Sequence, residues 1–173
     1  RRRNQQQADA KHINYQIVQS GDLTKRINCD SLKLNQILIN VLGNAVKYTH
    51  DYGCVKFLIT EMTSNSKDTS SYQFRIKDNG IGMSKGFQEN LFKAFERDEN
   101  KANYQIQGTG LGLAITKSFI DLMGGCVFVK SELEKGTEFL ICFDFENVYG
   151  ETELQDSIET KETVDYTQKR YDG

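Results

Sequence analysis

The chain has 173 residues, of which 38% are hydrophobic and 27% charged, with a formal net charge of -2. This balance is typical of one ordinary soluble domain and excludes a fibrous or wholly disordered protein. No apolar run approaches the ~18 residues of a membrane-spanning helix, and the arginine-rich amino terminus lacks the apolar segment of a signal peptide. The basic residues form no stripe interleaved with aromatic residues, so we expect neither nucleic-acid binding nor membrane contact by this chain.

The cysteine pattern favours free thiols. Cys29, Cys54, Cys126 and Cys142 are far apart, form no Cys-x-x-Cys pair and fall within apolar stretches. This arrangement is more typical of buried free thiols than of a disulfide framework or a zinc site. We therefore expect a reducing, cytoplasmic setting.

Apolar periodicity predicts the elements in chain order. The alternation from Ile13 to Val18 predicts a strand. Apolar residues then recur with helical spacing from Leu34 to Ala45, which predicts a helix over about 31–48 with Asp30 or Ser31 as its cap. The remaining predicted elements are strands at 54–60 and 72–77, a short helix-like patch at 89–95, a helix at 113–123 and a hairpin formed by 126–129 and 139–143.

The domain organisation follows from composition. Residues 1–11 are polar and charged and are predicted to be a linker stub. The periodic elements predict one domain over residues 12–145. Residues 146–173 carry eight acidic and three basic side chains with few apolar ones, so they are predicted to be an acidic tail or linker.

Two kinds of segment are candidates for a site. Asn40, Asn44 and Lys47 have i, i+4, i+7 spacing and lie on one stripe of the first long helix, either as ligand-binding groups or as a solvated face. Glycine-rich segments at 78–82 and 108–112 would let the backbone approach a phosphate, and the second leads directly into a helix. Neither segment is decisive alone, because similar glycine patterns serve dinucleotide sites and kinase loops.

The order of these segments carries a resemblance to a known family. Residues 44–49, 78–82, 91–95 and 108–113 resemble, in sequence, the N, G1, F and G2 boxes of the catalytic ATP-binding domain of sensor histidine kinases, in the GHKL ATPase superfamily. Residues 135–139 are similar to the terminal Gly-Thr/Ser-x-Phe signature. The resemblance covers about residues 10–145 and implies an α+β fold of the Bergerat type. That fold is a two-layer sandwich with a mixed, mostly antiparallel sheet, helices on one face and a flexible ATP lid over about 84–107.

The resemblance also implies how adenine is held. Asp78 would accept a hydrogen bond from the adenine amino group, Gly80 and Gly82 would leave room for the purine, and Tyr48 would flank the ring.

The phosphate end is implied in the same way. Asn44, and Asn40 one turn earlier, would bind Mg²⁺ through amide oxygens, which suit that hard cation. Lys47 and Arg97 would be the cations aimed at the phosphates. The backbone that cradles the phosphates would be that of Gly108, Thr109, Gly110, Leu111 and Gly112.

The implied activity is transfer of the ATP γ-phosphate to a histidine on an upstream dimerisation domain of a homodimeric parent, for relay to the aspartate of a response-regulator receiver domain. Hydrolytic members of the superfamily carry a glutamate where this chain has Asn40, and an amide cannot act as a general base. His12 and His50 lack the family's phosphoacceptor context, so we expect the acceptor upstream. Two alternatives remain: a nucleotide-gated binding module without kinase activity, and a hydrolytic GHKL ATPase. The sequence leaves open whether the parent is membrane-anchored or a hybrid kinase.

Overall fold

The computed structural model describes residues 2–21, 23–64, 66–95 and 110–149. The helices are α1 (Arg2–Ala10), α2 (Ser31–Tyr48), α3 (Lys85–Glu89) and α4 (Gly112–Leu122). The strands are β1 (Asn14–Ser20), β2 (Ile27–Asn28), β3 (Cys54–Met62), β4 (Thr69–Asp78), β5 (Cys126–Glu132) and β6 (Gly136–Asn147).

The strands form one sheet in the order β1-β3-β4-β6, and β5 and β2 both pair with β6. β1 runs parallel to β3, whereas the other pairings are antiparallel. Alternate residues of β4 are buried, which places Tyr72, Phe74 and Ile76 on one face. These side chains belong to one hydrophobic core with residues of α2 and α4. The predicted α+β sandwich with helices on one face of a mostly antiparallel sheet is confirmed.

Helix α2 begins and ends where the sequence predicts. The Asp30 side chain caps it by accepting a hydrogen bond from the Lys33 N–H at 3.0 Å. The Lys33 ammonium also pairs with this carboxylate, and these contacts hold the pKa of Asp30 below its usual range. Ile37 and Val41 are fully buried against the sheet, so the apolar stripe fixes how the helix is rotated about its axis.

Three parts of the fold differ from the sequence predictions. The prediction of a helix-like patch at 89–95 is wrong. Helix α3 is capped by Ser84 and ends at Glu89. Phe95 has φ 66°, which a right-handed helix cannot contain. Strand β2 was not predicted, because two residues are too few for a period to be visible. Strand β6 extends to Asn147 rather than ending near 143.

The predicted linker stub contains helix α1. Ala8 of this helix is fully buried and belongs to the core cluster. This helix was not predicted, because a segment with so few apolar residues has no apolar stripe to detect. The domain boundaries at 12 and 145 otherwise stay a prediction.

The four cysteines are free, as predicted, but the expected burial is wrong. Cys126 is exposed and the other three are half-buried. Within the described residues, no helix is both long and apolar enough to cross a membrane.

Candidate functional site

The floor of the candidate site is the carboxylate of Asp78, at the end of β4. Only 7% of this residue is exposed. Its Oδ1 atom accepts hydrogen bonds from the Gly80 N–H at 2.9 Å and from the Thr137 N–H at 3.2 Å. These donors come from two separate segments, the glycine-rich turn after β4 and the start of β6, so both segments fix the orientation of the carboxylate.

The turn after Asp78 is pressed against the end of helix α2. A Cβ atom on Gly80 would lie 2.2 Å from the Tyr48 carbonyl oxygen, a separation that real Cβ atoms do not reach. The Ile81 N–H donates to the same carbonyl at 3.1 Å. Glycine at position 80 is therefore required for the turn to lie beside Tyr48.

The other side of this turn packs against the β5-β6 hairpin. Gly82 has φ +65°, and a Cβ there would lie 1.9 Å from the Glu132 carbonyl oxygen. The Glu134 N–H donates to the Ile81 carbonyl at 2.9 Å. The turn is thus wedged between α2 and the hairpin, which places it over the Asp78 carboxylate.

The polar stripe of α2 leads away from this floor. Asn40, Asn44 and Lys47 are all half-buried, and the Lys47 ammonium lies 5.1 Å from the centre of the Tyr48 ring. Among the described residues, the Asn44 amide makes no hydrogen bond to another group. Its oxygen is thus available to a ligand.

Asn40 joins α2 to the amino terminus of α4. Its amide nitrogen donates to the Gly112 carbonyl and to the Thr116 hydroxyl, both at 3.3 Å. Its amide oxygen accepts a hydrogen bond from Gln36 at 3.0 Å. The Asn40 oxygen is therefore already engaged by a neighbouring side chain of α2.

The amino terminus of α4 has the features of an anion site. The N–H groups of a helix's first turn have no partner within the helix, and they carry the positive end of its dipole. The cap position is Leu111, whose side chain cannot accept these hydrogen bonds, and the first turn contains no acidic residue. Gly110 has φ +72° just before the helix. The predicted site residues Arg97, Gly108 and Thr109, and residues 96–107 of the predicted lid, lie outside the described residues.

These contacts order the site along α2. The end near Tyr48 meets the turn above Asp78, and Asn40, two turns earlier, meets the start of α4. Eight residues of helix span about 12 Å. Helix α2 therefore separates the buried Asp78 carboxylate at one end from the amino terminus of α4 at the other.

The histidines take no part in this arrangement. His12 stacks on Tyr52 with ring centres 5.1 Å apart. The His50 Nε2 atom lies 3.8 Å from Glu134 in an exposed pair. Within the described residues, no three His, Cys, Asp or Glu side chains are grouped so that they could hold a metal.

A separate depression of about 1150 Å³ lies at the opposite end of β4 from Asp78. It is lined by residues 24–26, the β3-β4 connection and the end of β6, with a Lys25–Glu61 ion pair of 2.5 Å. None of the predicted site residues within the described part of the chain lines this depression.

Lys11 holds the carboxyl end of α2 in place, a role that the sequence did not indicate. Its ammonium donates to the carbonyls of Val46, Lys47 and Thr49 at 3.3, 3.0 and 2.7 Å. A cation at the carboxyl end of a helix satisfies carbonyls that lack partners and interacts favourably with the dipole. No signal in the sequence pairs Lys11 with a helix end 35 residues later.

We expect Lys11→Met to lower the free energy of unfolding by about 2 kcal/mol, because carbonyls at the end of α2 lose a charged donor. Nucleotide affinity should fall as well, since this end of α2 carries Lys47 and Tyr48. Thermal unfolding and calorimetric titration measure the two effects. Lys117→Met is the control: its pair with Asp121 is exposed, so the loss should stay below about 1 kcal/mol. Equal losses in the two variants would contradict the assigned role of Lys11.

Residues 29–147 match the family described as Histidine kinase-, DNA gyrase B-, and HSP90-like ATPase. The chain belongs to this family, and the resemblance carried by the four boxes is confirmed.

Individual relatives are similar over most of this chain. The Sensory/regulatory protein RpfC of Xanthomonas campestris pv. campestris is 32% identical over 135 residues, which are 78% of this chain and 18% of that protein. The crystal structure of full-length ShkA in complex with AMPPNP superposes with a TM-score of 0.65 at 32% identity, covering 84% of this chain and 28% of that one. The Mycobacterial sensor histidine kinase MprB has a TM-score of 0.63 at 22% identity, over 83% of this chain and 91% of that one, which shows the shared fold. The chain spans less than a fifth of the length of the curated relatives it matches.

Proposed function

We propose that this chain is the ATP-binding catalytic domain of a sensor histidine kinase, and that it transfers the ATP γ-phosphate to a histidine of an upstream domain in the same protein. The observation that carries the proposal is the buried Asp78 carboxylate, held under the glycine turn and spaced by α2 from the amino terminus of α4. Relatives that match 65% and 84% of the chain are named as sensor kinases.

Adenine recognition is assigned to the Asp78 end. Two backbone N–H groups hold Oδ1, and we assign to this carboxylate the role of accepting a hydrogen bond from the adenine amino group. Gly80 and Gly82 let the turn after Asp78 pack closely between α2 and the β5-β6 hairpin, and we assign Tyr48 to the border of the adenine space. Selectivity for adenine follows because a guanine carbonyl at that position would face a carboxylate instead of donating to it.

The phosphates are assigned to the other end. The first turn of α4 offers backbone N–H groups, and Gly110 and Gly112 let the phosphate oxygens come close to the main chain. Lys47 supplies a positive charge from α2. Arg97, Gly108 and Thr109 belong to the same proposal by resemblance.

The residues fit a Mg²⁺ ion at Asn44. A neutral amide oxygen beside the phosphates is a suitable ligand for a hard cation that keeps several waters. When bound, the ion neutralises charge on the phosphate oxygens. Asn40 keeps the start of α4 beside the stripe through its bonds to Gly112 and Thr116.

The reaction itself needs positioning more than acid-base chemistry. An imidazole nitrogen attacks the γ-phosphorus in line, the bond from the γ-phosphorus to the bridging oxygen breaks, and ADP leaves with the negative charge. Position 40 holds an amide that donates to Gly112 and Thr116 and cannot activate water. This favours a protein nucleophile over hydrolysis. We place the acceptor histidine in an upstream dimerisation domain of a homodimeric cytoplasmic assembly, with a receiver-domain aspartate as the next acceptor.

The metal assignment predicts a selective result for Asn44→Ala. The variant should lose most of the increase in affinity that Mg²⁺ gives to a non-hydrolysable ATP analogue, about tenfold, while keeping its affinity without Mg²⁺. Isothermal titration with and without the ion measures the difference. Asn35→Ala, an exposed residue of the same helix, is the matched control and should behave as the unchanged chain. An intact Mg²⁺ effect in Asn44→Ala would rule out Asn44 as the ligand.

Phosphoryl transfer is tested in the parent protein with γ-labelled ATP. The expected product is a protein-bound phosphate that is stable to base and labile to acid, as phosphohistidine is. Nucleotide binding without transfer would favour the nucleotide-gated binding module. Steady release of inorganic phosphate without labelling would favour the hydrolytic ATPase.

A further inference from the structure

We propose that Cys126 and Cys142 form a reversible disulfide across strands β5 and β6, and that this dithiol pair is a site of oxidative modification outside the nucleotide site. The two residues are direct register partners in the antiparallel pairing of these strands.

The geometry of an antiparallel pair meets the requirement of the bond. Directly opposed residues have Cα atoms about 4.5–5.5 Å apart and side chains on the same face. Disulfides need Cα atoms about 4.4–6.8 Å apart. The Cβ atoms of opposed residues lie about 4.5–5.5 Å apart, and those of a disulfide about 3.5–4.5 Å apart, so the two strands need to approach by about 1 Å.

The pair lies on the face of the sheet away from the helices. In β6 the residues on either side of Cys142, Ile141 and Phe143, are buried in the core, so Cys142 points to the opposite face. The Gln73 amide lies 4.0 Å from its sulfur on that face. Cys126 is exposed and Cys142 is half-buried. An oxidant can therefore reach Cys126 first.

The thiols influence each other. Burial raises the pKa of the Cys142 thiol, and the neighbouring Cys126 raises it further. Cys142 is therefore less often a thiolate at neutral pH than an ordinary cysteine, and the exposure of Cys126 makes that residue the first nucleophile.

The oxidant is a low-molecular-weight disulfide. The Cys126 thiolate attacks one sulfur of that disulfide, the S–S bond breaks, and one thiolate leaves. The Cys142 thiolate then attacks the Cys126 sulfur of the mixed disulfide, and the second thiolate leaves as the protein S–S bond forms. The two cysteines lose two electrons, the small disulfide is reduced to two thiols, and the two protein protons go to those thiols.

The bond would fasten the first residue of β5 to the sheet. Cys126 follows helix α4 by a short turn in which the Gly125 N–H donates to the Ile120 carbonyl at 2.9 Å. The bond closes a loop from residue 126 to residue 142, which restricts the unfolded chain. The carboxylate of Asp78 lies on the other face of the sheet, so adenine binding is left intact.

The test is equilibration of the full 173-residue chain with graded ratios of oxidised to reduced glutathione, followed by mass spectrometry of the alkylated protein and its peptides. We expect a species lighter by two hydrogens, with Cys126 and Cys142 linked in one peptide pair, and a rise in Tm of about 5 °C or more. Cys126→Ser and Cys142→Ser should each abolish it, whereas Cys54→Ser should not. Affinity for a non-hydrolysable ATP analogue should be the same in both redox forms, so failure of the disulfide is distinguishable from failure of the nucleotide site.

Three results would overturn the proposal. They are stable glutathione adducts on Cys126 without ring closure, disulfide-linked dimers of the chain, and two thiols that stay reduced while Cys29 or Cys54 oxidises.

Discussion

Asp78→Asn is expected to weaken binding of a non-hydrolysable ATP analogue by at least about 100-fold, or about 2.7 kcal/mol, with little change in stability. An asparagine oxygen can still accept the hydrogen bonds that Gly80 and Thr137 donate to Oδ1. The amide NH₂ then replaces the second carboxylate oxygen and faces the adenine amino group with a donor instead of an acceptor. The loss should therefore appear in binding and not in folding.

Calorimetric titration and thermal unfolding of the same samples separate these effects. Asp121→Asn is the matched control, because Asp121 is an exposed acid that pairs with Lys117 at the far end of α4. It should bind the analogue as tightly as the unchanged chain. If Asp78→Asn retained full affinity, the adenine assignment would be wrong. If it unfolded, Asp78 would be a structural residue first.

Gly82→Ala is expected to lower the free energy of unfolding by about 4 kcal/mol. A left-handed backbone costs a residue with a Cβ about 1–2 kcal/mol, and overpacking adds about 1–3 kcal/mol. At Gly82 the new Cβ would lie 1.9 Å from the Glu132 carbonyl oxygen, so backbone must move. The turn would leave the hairpin, and nucleotide binding should be lost together with stability.

Two other glycines separate these terms in a denaturation experiment. Gly124 has φ +69° with nothing within 4 Å of its added Cβ, so Gly124→Ala measures the backbone cost alone, about 1 kcal/mol. Gly86 lies in helix α3 with open space and an ordinary φ, so Gly86→Ala should be neutral or stabilising. A loss at Gly82 no larger than that at Gly124 would show that the hairpin contact yields without cost.

The position of α1 connects the nucleotide end of α2 with the chain that precedes the sheet. Ala8 is buried in the core, and Lys11, directly after α1, donates to three carbonyls at the end of α2. The Lys11→Met experiment tests whether this contact supports the residues around Tyr48.

Local patterns in the sequence were sufficient to predict most helices and strands and to identify the four motifs of the nucleotide-binding family. Helix α2 was predicted with its cap because its apolar stripe and Asp30 are adjacent in the chain. The mostly antiparallel sheet with helices on one face followed from the resemblance of four short motifs to those of a known family. The glycines of the second motif are required because the backbone there approaches other carbonyls closely. The predicted roles of Asn44, Lys47, Tyr48 and Asp78 stay predictions, now with positions that suit them.

Contacts between residues far apart in the chain could be seen only in the tertiary structure. Asn40 was predicted as a possible ligand, but its contacts with Gly112 and Thr116 join two helices more than 70 residues apart. Lys11 donates to carbonyls 35 to 38 residues later. Ala8 is buried in the core although the sequence of α1 shows no apolar stripe. Cys126 and Cys142 were predicted as unrelated buried thiols, and only the register of β5 against β6 places them side by side. A sequence records periodicity along one chain segment, whereas these contacts are set by how separate segments pack.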